Sequence, residues 1–264
     1  MYRKKVVLII FCLIIFIIGG VSLYLPSQYV VPILNYHSIS KNGVLGLLAS
    51  SSVVSPEIFL KQMNFLKKSK YKVITLEKLV SDIKARKKSF YKSVVITFDD
   101  GYKDNFKEAY PVLKKYGFPA TIFVTVGNIG KSGYLDYGQI KAMLKDNISF
   151  GSHTIGHPYL PDLKREDLEY QIIQSKKILE DNLKENIDFI AYPIGGFTSE
   201  IQDIVRQAGY KAAFTTNRGI IKSYNNDDLY ALKRNKVTNK DRGFKFWVKV
   251  SGYYNLLRKV KNQD

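Results

Sequence analysis

The chain has 264 residues, of which 45% are hydrophobic and 24% are charged. This composition is ordinary for a globular protein, and the length allows one large α/β domain or two small ones. The absence of internal repeats and low-complexity stretches excludes a repeat array. The formal net charge of +18 favours anionic surroundings: nucleic acid, an acidic membrane surface or an anionic cell envelope. A basic surface that serves solubility alone is the alternative.

The N-terminus carries an apolar run, residues 6–25, that contains no charge and follows three basic residues. About 20 apolar residues cross a bilayer, and the basic flank predicts a cytoplasmic N-terminus. We therefore expect a single-pass cell-membrane protein with the rest of the chain outside the cell. A protein secreted after signal cleavage is the alternative, although the run is long for a signal peptide and no A-x-A-like site follows it. Export would exclude nucleic acid as a partner and favour an anionic envelope or membrane surface.

The only cysteine, Cys12, lies inside the apolar run rather than after it. This position argues against a lipoprotein, and it leaves the part of the chain expected outside the cell without any disulfide. We expect a monomer.

The next part of the chain, residues 38–55, is rich in Ser and Gly and is predicted to be a loop. After it, short apolar runs alternate with amphipathic stretches, and Ser55, Thr75 and Gly117 are suited to helix ends. Strands are predicted at 31–37, 71–75, 94–98, 118–125, 148–153, 186–193, 210–216 and 229–235. Helices are predicted at 55–71, 76–87, 102–117, 135–147, 165–186, 199–209 and 243–259. This alternation predicts a mostly parallel sheet with helices outside it.

Unusual polar residues follow several of the predicted strands. They are His37, Asp99, Asp100, His153, Tyr192–Pro193 and Arg234. A (β/α) barrel collects its active site from the ends of several strands, whereas an open sheet uses one switch point and commonly a glycine-rich phosphate loop, which this sequence lacks. We therefore predict a distorted, seven-stranded (β/α) barrel behind an N-terminal transmembrane helix. The expected divisions are an anchor at 1–27, an N-terminal part of the barrel at 28–90 and the main catalytic region at 91–264.

The segment VVITFDDG ends a buried strand on two carboxylates, Asp99 and Asp100. The chain has only three histidines, and two of them, His153 and His157, have the H-x-x-x-H spacing that brings two imidazoles together for a divalent transition metal. One aspartate could complete a His-His-Asp metal set, and the other could act as a base towards a water whose pKa the metal lowers. The alternatives are two exposed loop histidines and a helix N-cap at the aspartates.

Three segments, TFDDG (97–101), SHTIGHP (152–158) and AYPIGG (191–196), occur in this order. They resemble the first three motifs of the polysaccharide deacetylase family, the NodB-homology fold, over roughly residues 90–264. The resemblance implies a distorted barrel of seven strand–helix units, usually a zinc ion, and removal of acetyl groups from N-acetylated amino sugars. Asp99 resembles the catalytic base of the family, and the resemblance makes Asp100, His153 and His157 the metal ligands.

The chain departs from the family pattern in its third and last motifs. Ala191 and Ile194 stand where an Arg and a Tyr are usual, and no histidine follows His157 to protonate the leaving amine. The Tyr acts mainly through its backbone N–H, which Ile194 retains, so we expect Ile194 to help hold the oxyanion.

Two further segments resemble the poly-β-1,6-N-acetylglucosamine deacetylase branch of the family. His37, in ILNYHSI, matches its N-terminal motif, and the resemblance makes it the general acid; a core or surface histidine is the alternative. Arg234, in LYALKRN, resembles an Arg near the end of a late strand and is expected to orient Asp99.

These observations predict a metal-dependent hydrolase that removes N-acetyl groups from an N-acetylglucosamine-containing envelope or extracellular polysaccharide and releases acetate. The expected ion is Zn²⁺, although a His-His-Asp set accepts other divalent metals. Two other functions remain open: a non-catalytic protein that binds envelope polysaccharide, and a metal-dependent acetyl esterase that uses the same site.

Overall fold

The computed structural model describes residues 30–41, 52–87, 91–216 and 226–252. Its strands are β1 (Ile33–Tyr36), β2 (Ser38–Ile39), β3 (Val53–Val54), β4 (Lys72–Val73), β5 (Ser93–Phe98), β6 (Ala120–Val124), β7 (Ile148–Ser152), β8 (Phe189–Ala191), β9 (Ala212–Thr215), β10 (Leu232–Lys233) and β11 (Asn235–Lys236). All the pairings between these strands are parallel.

The helices that connect the strands are α1 (Pro56–Lys68), α2 (Leu76–Lys84), α3 (Tyr110–Tyr116), α4 (Tyr137–Leu144), α5 (Arg165–Glu169), α6 (Ser175–Leu183), α7 (Ser199–Gln207) and α8 (Phe244–Val250). Two π-helical turns, Asn105–Ala109 and Tyr170–Gln174, directly precede α3 and α6.

Helix ends follow the predicted capping chemistry. The side chains of Ser55 and Thr75 accept hydrogen bonds from the first turns of α1 and α2. Gly117 ends α3 in the left-handed region, at φ 66°. These ends fix where each helix turns back towards the sheet.

The main sheet is nearly closed into a barrel. Its strands follow the order β10-β9-β8-β7-β6-β5-β1-β11, and β4 also pairs with β5. The strands at the two ends of this order, β10 and β11, are separated in the chain by Arg234 alone. The two edges of the sheet therefore meet at Arg234, and the order has seven strand positions if β10 and β11 are counted as one.

The hydrophobic core has two parts because strand side chains alternate between the two faces of the sheet. One face lies under the helices, where Phe98 packs with Tyr36 of β1 and Phe59 of α1. The other face points into the barrel and joins helix α2; its members include Ile33, Val95, Phe123, Phe189 and Phe214. The interior is thus filled by side chains, and the polar residues lie at the carboxyl ends of the strands, as in other barrels of this class.

The prediction of a (β/α) barrel is confirmed. The segment at 38–55 differs from the predicted loop, because β2 and β3 pair with each other at its two ends. Each of these strands is only two residues long, too short for an alternating pattern to show in the sequence.

The prediction of a single-pass membrane protein needs correction. Among the described residues, no helix has both the length and the apolar character that a bilayer crossing demands. The apolar run at 6–25, on which the prediction depended, lies outside the described residues. The described part of the structure therefore does not support a membrane-spanning protein. The hydropathy of the run alone does not establish a spanning helix.

Candidate active site

The end of strand β5 turns its two aspartates towards different partners. Asp99 is nearly fully buried, whereas Asp100 lies beside the histidine-bearing loop after β7. Asp100 has φ 71° and Gly101 has φ 73°, so the chain reverses sharply after Asp99. A Cβ at Gly101 would lie 2.8 Å from a Val124 side-chain carbon, which explains the glycine at this position.

Asp99 forms a buried, bidentate ion pair with Arg234. The guanidinium donates two hydrogen bonds of 2.7 Å, one to each carboxylate oxygen. The amide of Asn35 donates a third, 3.0 Å long, to Oδ2. Burial alone would raise the pKa of Asp99, but the neighbouring Arg234 guanidinium, with His153 and His37 contributing less, outweighs burial and holds that pKa well below its usual range. Asp99 is therefore ionised at neutral pH.

Arg234 reaches Asp99 from the point where the barrel closes. It is almost completely buried, its Nη1 also donates to Thr97 Oγ1 at 3.3 Å, and its guanidinium lies 5.2 Å from the centre of the Phe123 ring. Since a buried charge is costly without a partner, this guanidinium and Asp99 each require the other. The expectation that Arg234 contacts Asp99 agrees with this geometry, and its catalytic role stays a prediction.

Asp100, His153 and His157 form one compact group. Oδ1 of Asp100 lies 3.5 Å from Nε2 of His153 and 3.4 Å from Nε2 of His157. The three candidate ligand atoms all lie within 4.8 Å of one another, and the two imidazole rings are 4.8 Å apart at an interplanar angle of 73°. A carboxylate and two imidazoles in this arrangement suit a divalent transition metal.

The backbone around the two histidines aims their rings. Nδ1 of His153 donates to the carbonyl oxygen of Ala191 at 2.7 Å, which leaves Nε2 as the nitrogen that faces Asp100. Burial lowers the pKa of His153, against the opposing charges of Asp99 and Asp100, so the ring is kept neutral and able to ligate an ion. His157 belongs to a tight loop rather than a helix, with φ 59°, and its N–H donates to Thr154 Oγ1 at 3.1 Å.

His37 lies between β1 and β2, one residue beyond the end of β1. Burial lowers its pKa and outweighs the charges of Asp99 and Asp100, which act in the opposite direction. Its Nδ1 is buried and has no hydrogen-bond partner among the described residues. The role of His37 as an acid stays a prediction.

Ile194 lies in a strained turn after β8. It has φ 59°, which is rare for a β-branched residue, and its side chain is 65% exposed. Its carbonyl accepts a hydrogen bond from Thr216 Oγ1 at 2.9 Å, and the carbonyl of Gly195 accepts one from Thr215 Oγ1 at 2.7 Å. The turn follows β8, which is the neighbour of β7, the strand that precedes His153. The end of β9, on the other side of β8, holds the turn in place. The oxyanion role of its N–H stays a prediction.

Asn35 was not identified from the sequence, and neither was the contact between Tyr102 and Asp100. Asn35, on β1, lies two positions before His37, and this i, i+2 spacing along an extended chain is the signal that could have pointed to it. Tyr102 hydrogen-bonds Asp100 and stacks on Tyr134 with ring centres 5.3 Å apart. Burial and the charge of Asp100 raise the pKa of Tyr102, so its hydroxyl stays protonated and can donate to that carboxylate.

A nearly closed parallel barrel with two adjacent aspartates and two histidines at its strand ends is the arrangement of the polysaccharide deacetylase family. The chain belongs to this family. Residues 86–213 match the family described as Polysaccharide deacetylase. The chain is 36% identical over 207 residues to YxkH of Bacillus subtilis, a match that covers 78% of this chain and 71% of YxkH.

Two further proteins are similar over most of their length. One is the poly-β-1,6-N-acetyl-D-glucosamine N-deacetylase of Staphylococcus aureus, which is 30% identical over 217 residues, or 74% of each chain. The other is the Streptococcus pyogenes deacetylase PplD in complex with acetate, with a TM-score of 0.77 and 29% identity over 84% of this chain and 99% of PplD. These relatives place the chain among the deacetylase hydrolases. The family is metal-dependent, and Asp100, His153 and His157 could hold an ion.

Proposed function

We propose that this protein is a metal-dependent N-deacetylase that releases acetate from an N-acetylglucosamine-containing polysaccharide. The observation that carries the proposal is that two adjacent carboxylates contact different partners. Asp99 is held by Arg234 and Asn35, whereas Asp100 faces His153 and His157. A site for binding alone would not need one carboxylate of the pair kept off the ligand group and ionised by a buried arginine.

The proposed metal ligands are Asp100 Oδ1 and the Nε2 atoms of His153 and His157. The donor set fits a divalent ion because the three atoms converge and the hydrogen bond to Ala191 fixes the tautomer of His153. Zn²⁺ is the ion we expect. When bound, such an ion supplies Lewis-acid polarisation of the acetyl carbonyl and lowers the pKa of water towards about 7.

The proposed base is Asp99. It is ionised at neutral pH, and the bidentate contact with Arg234 fixes the directions of both its oxygens. In the reaction Asp99 accepts a proton from the attacking water while the new C–O bond forms at the acetyl carbon. The backbone N–H of Ile194 donates to the oxyanion that develops on the carbonyl oxygen.

The proposed acid is His37. The C–N bond cannot break readily to release an amide anion, so the nitrogen must gain a proton as the tetrahedral intermediate collapses. His37 donates that proton, and the products are acetate and the free amino sugar. The two imidazoles of the ligand group are already committed to Asp100, which leaves His37 as the remaining histidine of the chain.

The relatives support the proposed substrate class. A poly-β-1,6-N-acetyl-D-glucosamine N-deacetylase is similar over three-quarters of the chain, and PplD was solved with acetate, the expected product. The test is acetate release from β-1,6-linked and β-1,4-linked N-acetylglucosamine oligomers, alongside an aryl acetate ester, before and after chelation. Chelator-sensitive acetate release from an oligomer supports the proposal. Hydrolysis of the ester alone would identify an esterase instead.

A further inference from the structure

We infer that Asp104 and Asn105 form a clamp that positions His37 against Asp99 and Asp100, and that Asn105 is a positioning residue for the proton transfer to the leaving amine. This inference rests on the proposed function, in which His37 is the general acid. It concerns two residues that make no contact with the ligand group and that no motif of the sequence singles out.

The contact with His37 goes through its backbone. The side-chain amide of Asn105, which is fully buried, donates to the carbonyl oxygen of His37 at 2.8 Å and to Oδ1 of Asp104 at 3.0 Å. One amide group thus spans from the residue after β1 to the segment after β5. A carbonyl held by a buried donor fixes the peptide plane from which the imidazole projects.

The carboxylate of Asp104 holds the next two residues. Its Oδ2 accepts a hydrogen bond from the buried hydroxyl of Ser38, and the backbone N–H of Ile39 also donates to this carboxylate. Three consecutive residues, 37, 38 and 39, are therefore each tied to Asp104 or Asn105. An exposed turn that only needed solubility would not require a nearly buried carboxylate with three donors.

The clamp belongs to the same segment as the two catalytic aspartates. Asp104 lies four residues after Asp100, and the backbone N–H of Asp99 donates to the carbonyl oxygen of Tyr36 at 3.0 Å. The residues before and after His37 are thus tied to both sides of the aspartate pair. Asn105 also begins a π-helical turn, Asn105–Ala109, a geometry that is frequent at functional sites because it redirects one side chain.

The test is a double-mutant cycle between Asn105→Leu and His37→Gln, with acetate release from an N-acetylglucosamine oligomer as the assay. Leucine has the same branched heavy-atom skeleton as asparagine and donates no hydrogen bond, but it is larger, so thermal melting checks that the buried position tolerates it. We expect Asn105→Leu to lower kcat by roughly 10- to 100-fold, since misplacing a catalytic group by about 1 Å costs that much, and to leave KM nearly unchanged. In the His37→Gln background the same change is expected to have no further effect on kcat.

Asn182→Leu is the matched control, because this asparagine also donates to a backbone carbonyl, that of Ile178 at 2.8 Å, but is exposed on α6. It should leave kcat unchanged. If Asn105→Leu folds poorly, Ser38→Ala replaces it in the cycle, since that change removes one donor to Asp104. We expect Ser38→Ala to lower kcat severalfold in the unaltered protein. In the His37→Gln variant, Ser38→Ala should not lower kcat any further.

The possible failures are distinguishable. If the unaltered enzyme releases no acetate, the proposed function itself is overturned. If it is active, and Asn105→Leu and Ser38→Ala lower kcat by the same factor with and without His37, their role is structural support of the whole site and the clamp is refuted. Unchanged kcat in Asn105→Leu would refute it as well.

Discussion

Arg234 and Asp99 are 135 residues apart in the chain, and they form a bidentate ion pair inside the barrel. Arg234 is also the residue at which the sheet closes, between β10 and β11. The contact that orients the proposed base therefore also joins the last strand position to the first half of the barrel. The contact made by the proposed base and the closure of the barrel therefore involve the same arginine.

The first prediction concerns loss of this arginine. Arg234→Met leaves Asp99 buried without its charge partner, and breaking a buried pair in this way destabilises a fold by about 3–5 kcal/mol. Acetate release should also fall, because the directions of the Asp99 oxygens are no longer fixed. Urea unfolding and the acetate assay measure the two effects. Arg165→Met, which removes an exposed ion pair with Glu169, should cost under about 1 kcal/mol and leave activity unchanged. Equal losses of stability in the two variants would contradict the account.

The second prediction concerns acid stability. The pKa of Asp99 is lower in the folded protein than its unfolded value of about 3.9, so below about pH 5 the unfolded chain takes up more protons than the folded one. The stability from this group is fully present above the unfolded pKa and is lost as pH falls towards the folded pKa. Arg234→Met removes the charge that lowers this pKa. Unfolding free energies measured from pH 7 to pH 3 should therefore fall less steeply in the variant than in the unaltered protein. An identical slope would show that the pair is not linked to proton uptake.

The third prediction separates the two aspartates by metal content. Asp100→Asn and His153→Ala should bind little metal after chelation and reloading, because each removes one member of the converging group. Asp99→Asn should retain the ion, since Asp99 is turned to Arg234. Elemental analysis of the reloaded proteins gives the answer. An ion that stabilises only the folded state should also raise the melting temperature, by an amount equivalent to about 2.7 kcal/mol at 100 times its Kd. Loss of metal from Asp99→Asn would reverse the assignment of the two roles.

The fourth prediction concerns the turn that carries Ile194. A Cβ at Gly195 would lie 2.2 Å from Thr216 Oγ1 and 2.7 Å from the Thr216 backbone nitrogen, and Gly195 has φ 83°. Gly195→Ala should therefore lower stability and displace the Ile194 N–H, which lowers kcat. Gly209 has a similar φ of 78° with open space around it, so Gly209→Ala should cost only about 1 kcal/mol of strain and no activity. Thermal melting and kcat compare the two variants, and equal kcat values would exclude a role for the turn.

Much of the fold follows from local patterns in the sequence. Alternating apolar runs and amphipathic stretches predicted the parallel barrel, and Ser55, Thr75 and Gly117 end their helices as their side chains or backbone freedom dictate. The strand ends predicted that His153 and His157 would meet one of the two aspartates, and the family resemblance assigned that position to Asp100.

The contacts that depend on barrel closure were harder to predict from the sequence. Arg234 meets Asp99 only because the two sheet edges come together, and a resemblance to related sequences pointed to it where spacing could not. The buried network of Asp104, Asn105 and Ser38 was not anticipated, because polar residues after a strand resemble an ordinary helix start until their burial is known. The π-helical turn at Asn105 leaves no periodic signal in a sequence.

The most direct test of the central claim is acetate release from an N-acetylglucosamine oligomer by metal-loaded protein and by Asp99→Asn of equal metal content. The account predicts that the unaltered protein releases acetate and that Asp99→Asn is slower by about 10²- to 10⁴-fold, the usual contribution of a positioned base. Equal rates for the two proteins would contradict the assignment of Asp99, and with it the division of roles between the two aspartates.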